Sequence, residues 1–214
     1  TKEEVEKTDD FKYQTEQFAD LGILRFKVEG FDDLSLKQKE MLYYLYEAAL
    51  AGRDMFWDQN YKNNLKVRRT LEAIVDSYSG DRNSDNFNNF MIYTKRVWFS
   101  AGIHHHYSSD KILPEFSQEY FAELVKNSDS TKLPLAQEES VDQLIAFLTP
   151  VVFDPDVDGK KVNLDPNADL IKTSAVNFYE TGLTQKEVEN FYAKMEKKDD
   201  PAPIWYGLNS KVVK

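Results

Sequence analysis

The segment DNFNNFMIYTKRVWFSAGIHHHYS, residues 85–108, joins a helical pattern to all the histidines of the chain. Its first part carries apolar or small side chains at steps of three and four residues: Phe87, Phe90, Thr94 and Val97. This spacing places the side chains on one face of an α-helix, so we predict a helix from about Asp85 to Ser100. Gly102 then allows the backbone to turn sharply.

The three histidines, His104, His105 and His106, are followed by Tyr107, and these four residues form the candidate site. Because they lie inside the chain, they are not a terminal expression tag. In an extended segment, His104 and His106 would share one face while His105 pointed away. Zinc ligands rarely occupy consecutive residues of one strand, which disfavours a metal site. We predict a polar surface that lines a substrate cleft, with structural hydrogen bonding as the alternative.

Similar apolar spacing predicts helices on both sides of this segment. A capping box at Ser35 and Gln38 precedes an apolar stripe of Leu42, Leu45, Ala49, Gly52 and Phe56. Further helices are predicted over residues 67–78, 114–127, 138–148 and 168–181, the last of them stopping at Gly182. A second capping box, Thr184 with Glu187, opens a final helix that is predicted to bury Val188, Phe191 and Met195.

Strand patterns are fewer than helical patterns. Residues 23–28 alternate apolar and basic side chains, and residues 151–153 and 162–164 resemble the two arms of a hairpin. The sequence therefore predicts a mainly α fold with a small β-sheet, of the α+β class.

The turn of that predicted hairpin contains three alternating aspartates, Asp154, Asp156 and Asp158, followed by Gly159. This pattern matches the first half of an EF-hand calcium loop. The twelfth position, however, is Asp165 rather than glutamate, and residues 151–153 resemble a strand rather than an entering helix. We therefore favour a surface turn over a calcium site.

A second polar cluster places Asp54, Asp58 and Tyr61 at helical steps of four and three residues. At these steps the three side chains could face one cleft. The alternative is a salt-bridge surface in which Asp54 pairs with arginines from Arg53, Arg68 and Arg69. We favour the salt-bridge surface, which contributes little to stability.

The composition excludes several classes of protein. Lys and Arg number 27 against 37 Asp and Glu, a formal net charge of -10, which argues against nucleic acid or an anionic membrane as partner. The absence of cysteine excludes disulfides and thiolate catalysis. No apolar run is long enough to suggest a membrane span. The compartment stays open, with a soluble cytoplasmic protein as the default expectation and export as the alternative if a leader has been removed.

Six segments together resemble the N-terminal part of dipeptidyl peptidase III, in its bacterial branch. They are FADLGILR at 18–25, LSLKQK at 34–39, GRD at 52–54, DQNY at 58–61, GIHHHY at 102–107 and YGLNS at 206–210. The resemblance implies a zinc metallopeptidase with two lobes around a wide cleft, which removes dipeptides from the N-termini of short peptides. Residues 1–214 would then be the mostly helical N-terminal part of the zinc-free lobe.

The family's signature, His-Glu-x-x-Gly-His, is absent from this sequence. The resemblance therefore assigns no catalytic or metal-binding residue here, and zinc is expected on the C-terminal catalytic lobe of the complete protein. The expected partners are short peptides and that lobe, and the chain alone is predicted to be inactive. Val212 and Val213 have no predicted partner, which favours a chain that continues. The alternative is a stand-alone, non-catalytic helical module that binds peptides or another protein.

Overall fold

The computed structural model describes residues 11–194 and 211–214. It is mainly helical with one two-stranded antiparallel sheet, which confirms the predicted fold class. The chain divides into two compact units, Thr1–Ala51 and Gly52–Lys214. None of the described helices is both long enough and apolar enough to cross a lipid bilayer.

The first unit begins with a β-hairpin. Strand β1 (Gln14–Phe18) pairs with β2 (Leu21–Leu24) through a two-residue turn at whose first position Ala19 has a positive φ of 47°. The predicted strand over residues 23–28 is therefore wrong beyond Leu24. Gln14, at the start of β1, lies opposite Leu24, and one further backbone hydrogen bond, from the Arg25 amide to the Tyr13 carbonyl at 2.8 Å, closes the pairing.

Helix α1 (Leu36–Ala51) follows the hairpin and confirms the first predicted capping box. The Ser35 amide donates to the Gln38 side chain at 2.9 Å, and the Gln38 amide donates to the Ser35 hydroxyl at 3.4 Å. The predicted stripe continues past Gly52, whereas α1 ends at Ala51. No residue of α1 is buried.

The second unit contains seven helices among its described residues. They are α2 (Arg53–Asn60), α3 (Asn64–Ser77), α4 (Asp85–Ser100), α5 (Gln118–Lys126), α6 (Val141–Phe153), α7 (Leu170–Thr173) and α8 (Gln185–Ala193). The bounds of α4 are those predicted from the sequence. Its N-terminus is capped by the Ser84 hydroxyl, which accepts from the Phe87 amide, and its C-cap residue Ala101 is left-handed with a φ of 49°.

The core of this unit lies among α3, α4, α5 and α6. Its most deeply buried apolar side chains include Val67, Leu71, Ile74, Phe90, Val97, Phe121, Leu124, Leu144 and Leu148. Most of them belong to the stripes that predicted these helices, so the apolar spacing identified the inner faces correctly. The hydrophobic burial of these side chains is the main source of stability of the unit.

The predicted hairpin around residues 154–159 is wrong, because residues 151–153 form the last turn of α6. A short apolar run with β-branched residues fits a buried strand and a buried helix equally well. Here the helix begins at a capping box, Ser140 with Gln143, and continues through Pro150 until Asp154. Val151 and Val152 then pack into the helical core.

Residues 168–181 are helical only at α7, so the longer predicted helix is wrong. In the segment after α7, backbone amides form hydrogen bonds with residues distant in sequence rather than with carbonyls of the preceding helical turn. The Ala175 amide donates to the carbonyl of Lys160 at 3.0 Å, and the Asn177 amide donates to that of Gln59 at 2.9 Å. These tertiary hydrogen bonds satisfy the backbone groups that a helix would otherwise pair.

Val212 has a structural partner, contrary to the prediction. It forms a parallel bridge with Tyr179, in which its amide donates to the Phe178 carbonyl at 2.9 Å and its carbonyl accepts from the Glu180 amide at 2.8 Å. The second predicted capping box, at Thr184 and Glu187, is confirmed at the start of α8. Val188 is buried as predicted, but the predicted burial of Phe191 is wrong, since Phe191 is exposed. Met195 and the YGLNS segment at 206–210 lie outside the described residues.

Candidate functional site

A pocket of about 100 Å³ lies in the second unit between the turn after α2, the loop after α6 and the segment 171–182. Its side chains are of mixed character, with both signs of charge beside hydroxyl, amide and apolar groups. We call it the Asp158 pocket, and its polar side chains are Tyr61, Lys62, Asp158, Lys172, Ser174, Asn177, Tyr179, Glu180 and Thr181. Such a volume holds about three water molecules, so the pocket admits a small polar group rather than a whole peptide.

Asp158 is held in one orientation from two sides. One carboxylate oxygen, Oδ2, accepts from the Tyr61 hydroxyl at 2.6 Å, and the backbone carbonyl accepts from His104 Nε2 at 2.6 Å. The backbone of Asp158 is left-handed with a φ of 48°, a conformation that aspartate adopts more readily than most residues. The surrounding contacts therefore maintain a conformation that costs free energy.

Tyr61 is the buried anchor of this arrangement. Only 1% of the residue is exposed, and its hydroxyl also accepts from the Asn63 side chain at 2.8 Å. Burial, and then the hydrogen bond to Asp158, raise the pKa of Tyr61 far above the usual value. The phenol therefore stays protonated and acts as a hydrogen-bond donor.

His104 lies beneath the pocket rather than in it, because only 1% of the residue is exposed. The Asp158 carbonyl can only accept, so Nε2 of His104 carries the proton in this hydrogen bond. Its Nδ1 is buried without a hydrogen-bond partner among the described residues. Burial lowers the pKa of His104, and the ring is therefore neutral at pH 7. The ring edge packs against Tyr61 with centroids 5.5 Å apart, so His104 is a positioning residue for both pocket groups.

Lys111 supplies a cation to the aspartate-rich loop at residues 154–159. Its ammonium donates to the Asp154 carbonyl at 2.7 Å and to the Val157 carbonyl. Partial burial lowers the pKa of Lys111. The side chain of Asp154 turns back to accept from the Asp156 amide, and that of Asp158 points to Tyr61. In this loop, backbone carbonyl oxygens rather than carboxylates therefore accept the hydrogen bonds of the Lys111 ammonium.

This arrangement refines the calcium interpretation of the sequence. A helix does enter the loop, since α6 ends at Phe153, so that objection to an EF-hand is wrong. In the described part of the chain, however, no group of three or more His, Cys, Asp or Glu side chains is placed to hold a metal ion. The loop is not a free surface turn either, because Lys111 and His104 tie it to the strand-like segment before α5.

Replacing Lys111 with methionine should lower the free energy of unfolding by about 2 kcal/mol. The two loop carbonyls would lose a charged donor, and partly buried acceptors without partners are costly. Urea unfolding followed by circular dichroism measures the change. Lys126→Met serves as the control, because Lys126 forms an exposed ion pair with Asp142, and the variant should cost less than about 1 kcal/mol. Equal losses in the two variants would show that Lys111 does not hold the loop.

The other predicted site residues occupy a turn away from the pocket. His105 Nδ1 accepts from the amides of Tyr107 and Ser108, each at 3.2 Å, which closes the turn. The rings of His105 and His106 lie side by side with centroids 4.4 Å apart, so the alternation of faces expected of an extended segment does not apply here. The reason is that only His104 belongs to an extended bridge, and the chain turns directly after it. Tyr107 is 86% exposed and remains available to a ligand.

The cluster of Asp54, Asp58 and Tyr61 does not face one cleft. Asp54 binds Arg68 at 2.6 Å and lies 3.5 Å from Arg69, which confirms the salt-bridge interpretation. The hydrogen bond to Arg68, with further attraction from both arginines, lowers the pKa of Asp54. Asp58 instead accepts from the Asn177 side chain at 3.2 Å, at the edge of the Asp158 pocket.

Tyr61→Phe should destabilise the protein by about 2 kcal/mol, because the variant leaves an Asp158 oxygen without its buried donor. Tyr93→Phe is the matched control. The Tyr93 hydroxyl is also buried but has no hydrogen-bond partner in the part of the chain that the structure describes. Its removal should be neutral or slightly stabilising. Thermal unfolding of both variants tests the difference, and a loss of stability in Tyr93→Phe as large as in Tyr61→Phe would contradict it.

No local sequence pattern indicated the roles of Lys111, Asn177 and the Asp158 side chain. Lys111 lies 43 residues from its carbonyl acceptor in Asp154, and Asn177 lies 119 residues from Asp58. No periodic pattern links residues at such separations. The aspartate-rich motif was the one available signal, and it pointed to calcium rather than to a lysine.

Comparisons with known proteins add no assignment to these residues. No protein-family model matches the chain, and no curated protein matches its sequence. What the Asp158 pocket does must therefore be inferred from its own chemistry and from the resemblance of the six sequence segments.

Proposed function

We propose that this chain is the N-terminal portion of a zinc-dependent dipeptidyl peptidase, which removes dipeptides from the N-termini of short peptides. In this proposal residues 1–214 supply part of the substrate cleft in the zinc-free lobe. The zinc ion and the catalytic groups belong to a C-terminal lobe, which is the chain's principal partner. The described residues bind and position substrate, and the chain alone does not hydrolyse it.

The observation that carries the proposal is that two separate segments of the resemblance meet beside the Asp158 pocket. The DQNY segment at 58–61 and the GIHHHY segment at 102–107 are distant in sequence. The Tyr61 ring packs on His104, and the Asn60 side chain donates at 3.0 Å to the carbonyl of Ala101, the residue directly before the second segment. A chance similarity of short segments gives no reason for them to pack together around a polar pocket.

Helix α1 supports the further claim that the first unit packs against other protein. Apart from Glu47, every residue from 41 to 51 is apolar or aromatic, yet no residue of the helix is buried. Helices that are apolar on all sides are normally buried in the complete molecule. Cover from protein outside the first unit, as a two-lobed enzyme would provide, satisfies this requirement.

The proposal is tested by hydrolysis of a dipeptidyl arylamide. The complete protein should hydrolyse it, lose activity on treatment with a chelator, and recover with zinc. The chain of residues 1–214 should be inactive. Hydrolysis by that chain after rigorous purification, or chelator-resistant hydrolysis by the complete protein, would contradict the proposal.

The candidate cleft residue Tyr107 can be tested in the same assay. Because its ring is exposed, Tyr107→Phe should leave the fold intact and raise KM if the hydroxyl contacts peptide. Tyr13→Phe, at another exposed tyrosine, is the control. An unchanged KM in Tyr107→Phe removes this residue from the site.

The rival function is a stand-alone module that binds peptides or a partner protein without chemistry. It is favoured by the polar lining of the Asp158 pocket, which could hold a small polar group of a ligand. Sequencing the coding region beyond Lys214 separates the two functions. A His-Glu-x-x-Gly-His motif supports the peptidase, whereas a stop codon together with micromolar peptide binding supports the module.

A further inference from the structure

We propose that the Asp158 pocket binds a small zwitterion, namely a free α-amino acid, with its ammonium on Asp158 and its carboxylate on Lys62 and Lys172. This inference goes beyond the proposed function, because it requires neither the zinc lobe nor hydrolysis. It assigns a ligand class to a site that the resemblance does not mention.

The anionic wall of the pocket is fixed in place. The Asp158 backbone is held by His104, and one of its carboxylate oxygens is held by the buried Tyr61. The other oxygen, Oδ1, has no hydrogen-bond partner within the described ranges. An ammonium group placed there would form a charge-assisted hydrogen bond to a carboxylate that is already oriented.

The cationic wall comes from two different parts of the chain. Lys62 follows α2 and Lys172 lies in α7, and both line the same pocket as Asp158. Over residues 11–194 and 211–214, neither ammonium forms an ion pair, although Lys172 lies in the field of Asp169. Some other lysines of the unit are paired with carboxylates, for example Lys66 with Glu139 at 2.7 Å.

A second carboxylate, Glu180, also lines the pocket, but one of its oxygens already accepts from the Lys214 amide at 2.7 Å. The pocket therefore holds charges of opposite sign, and among the described residues no ion pair joins them. A ligand with only a positive charge would be repelled by the lysines, and one with only a negative charge would be repelled by Asp158. A zwitterion between the two walls satisfies both. The volume of about 100 Å³ suits the backbone of one small amino acid, and Ile171 and Val176 provide an apolar wall for a methyl side chain.

The test is isothermal titration of the chain with L-alanine, compared with two blocked forms of the same molecule. N-acetyl-alanine lacks the ammonium, and alaninamide lacks the carboxylate. We expect saturable binding of L-alanine and about tenfold weaker binding of each blocked form, since each has lost one charged contact. Equal binding of the three compounds, or no saturable binding of L-alanine, overturns the proposal.

Matched variants assign the binding to the pocket. Asp158→Asn keeps an acceptor for Tyr61 but removes the charge, and Lys172→Met removes one cation; each should weaken L-alanine binding about tenfold. Asp156→Asn and Lys186→Met are exposed controls outside the pocket lining and should bind as the parent does. If Asp158→Asn unfolds, Lys62→Met and Lys172→Met carry the test, because both lysines are exposed. Undiminished binding in both lysine variants rejects the site.

The outcome is separable from the proposed peptidase function. Loss of L-alanine binding in these variants is measured on the chain alone, without zinc or catalysis. Absence of alanine binding with zinc-dependent hydrolysis intact rejects only the pocket ligand. Alanine binding without hydrolysis by the complete protein rejects only the peptidase.

Discussion

Replacing Gly102 with alanine is expected to lower the free energy of unfolding of the second unit by about 4 kcal/mol. The φ of Gly102 is 150°, a region that side chains rarely enter. An added Cβ would also press on the Asn64 side chain, coming within 2.9 Å of its Cγ. The backbone conformation and the clash therefore act together.

Relieving the clash costs free energy, because Asn64 is fully buried and both the nitrogen and the oxygen of its side-chain amide form hydrogen bonds. Its amide nitrogen donates to the Trp57 carbonyl at 3.1 Å, and its oxygen accepts from the Ile103 amide at 3.1 Å. Moving the side chain would break hydrogen bonds to buried backbone groups, each worth about 1–3 kcal/mol when left unpaired. This pairing also positions the start of the histidine segment.

Urea unfolding of Gly102→Ala measures the loss, and Gly182→Ala provides a matched control. Gly182 also has a positive φ, 94°, but no atom lies within 4 Å of the position a Cβ would take. That variant should cost only the conformational strain, about 1 kcal/mol. If both variants lost the same free energy of unfolding, the clash with Asn64 would have no importance.

Replacing His104 with alanine should cost about 3 kcal/mol at pH 7, because the variant leaves a cavity and an Asp158 carbonyl without its donor. The parent protein should also lose stability as the pH falls. Burial lowers the pKa of His104 in the folded state, below about 6.5 in the unfolded chain. The unfolded state therefore binds the proton more readily.

Because the pKa of His104 is lower in the folded state than in the unfolded chain, stability decreases as the pH falls. The contribution of neutral His104 to the free energy of unfolding is fully present above about pH 6.5. It decreases as the pH falls from there through the lower pKa of the folded state. His104→Gln, which retains an N–H donor but does not titrate, should have a flatter profile between pH 7 and pH 5. Since His105 and His106 are present in both proteins, the difference between the two unfolding curves isolates His104, and parallel curves would contradict the assignment.

Local patterns were sufficient for most of the helices. The bounds of α4 and the capping boxes of α1 and α8 were predicted correctly, because a cap joins residues only three positions apart. Helical hydrogen bonds and apolar stripes likewise involve residues three or four positions apart. Such interactions can be recognised without knowing which other segments lie nearby.

Sequence patterns gave wrong secondary structure where interactions with distant residues competed with hydrogen bonds between neighbouring residues. The segment after α7 has a helical pattern, yet its amides bond to carbonyls near residues 59 and 160. Residues 151–153 have a strand-like composition, yet they complete a buried helix. In both places the tertiary hydrogen bonds and burial available to the segment outweighed its weak intrinsic preference.

The amino-acid sequence alone established the α+β class, the inner faces of α3 to α6 and the importance of Gly102 before the histidines. Long-range packing placed His104 under the Asp158 pocket, turned His105 and His106 away from it, and brought Lys111 into the aspartate-rich loop. The physical reason is that helix formation depends on neighbours along the chain. The burial, pKa and ion pairing of a side chain instead depend on which residues, distant in sequence, pack around it and exclude water from it.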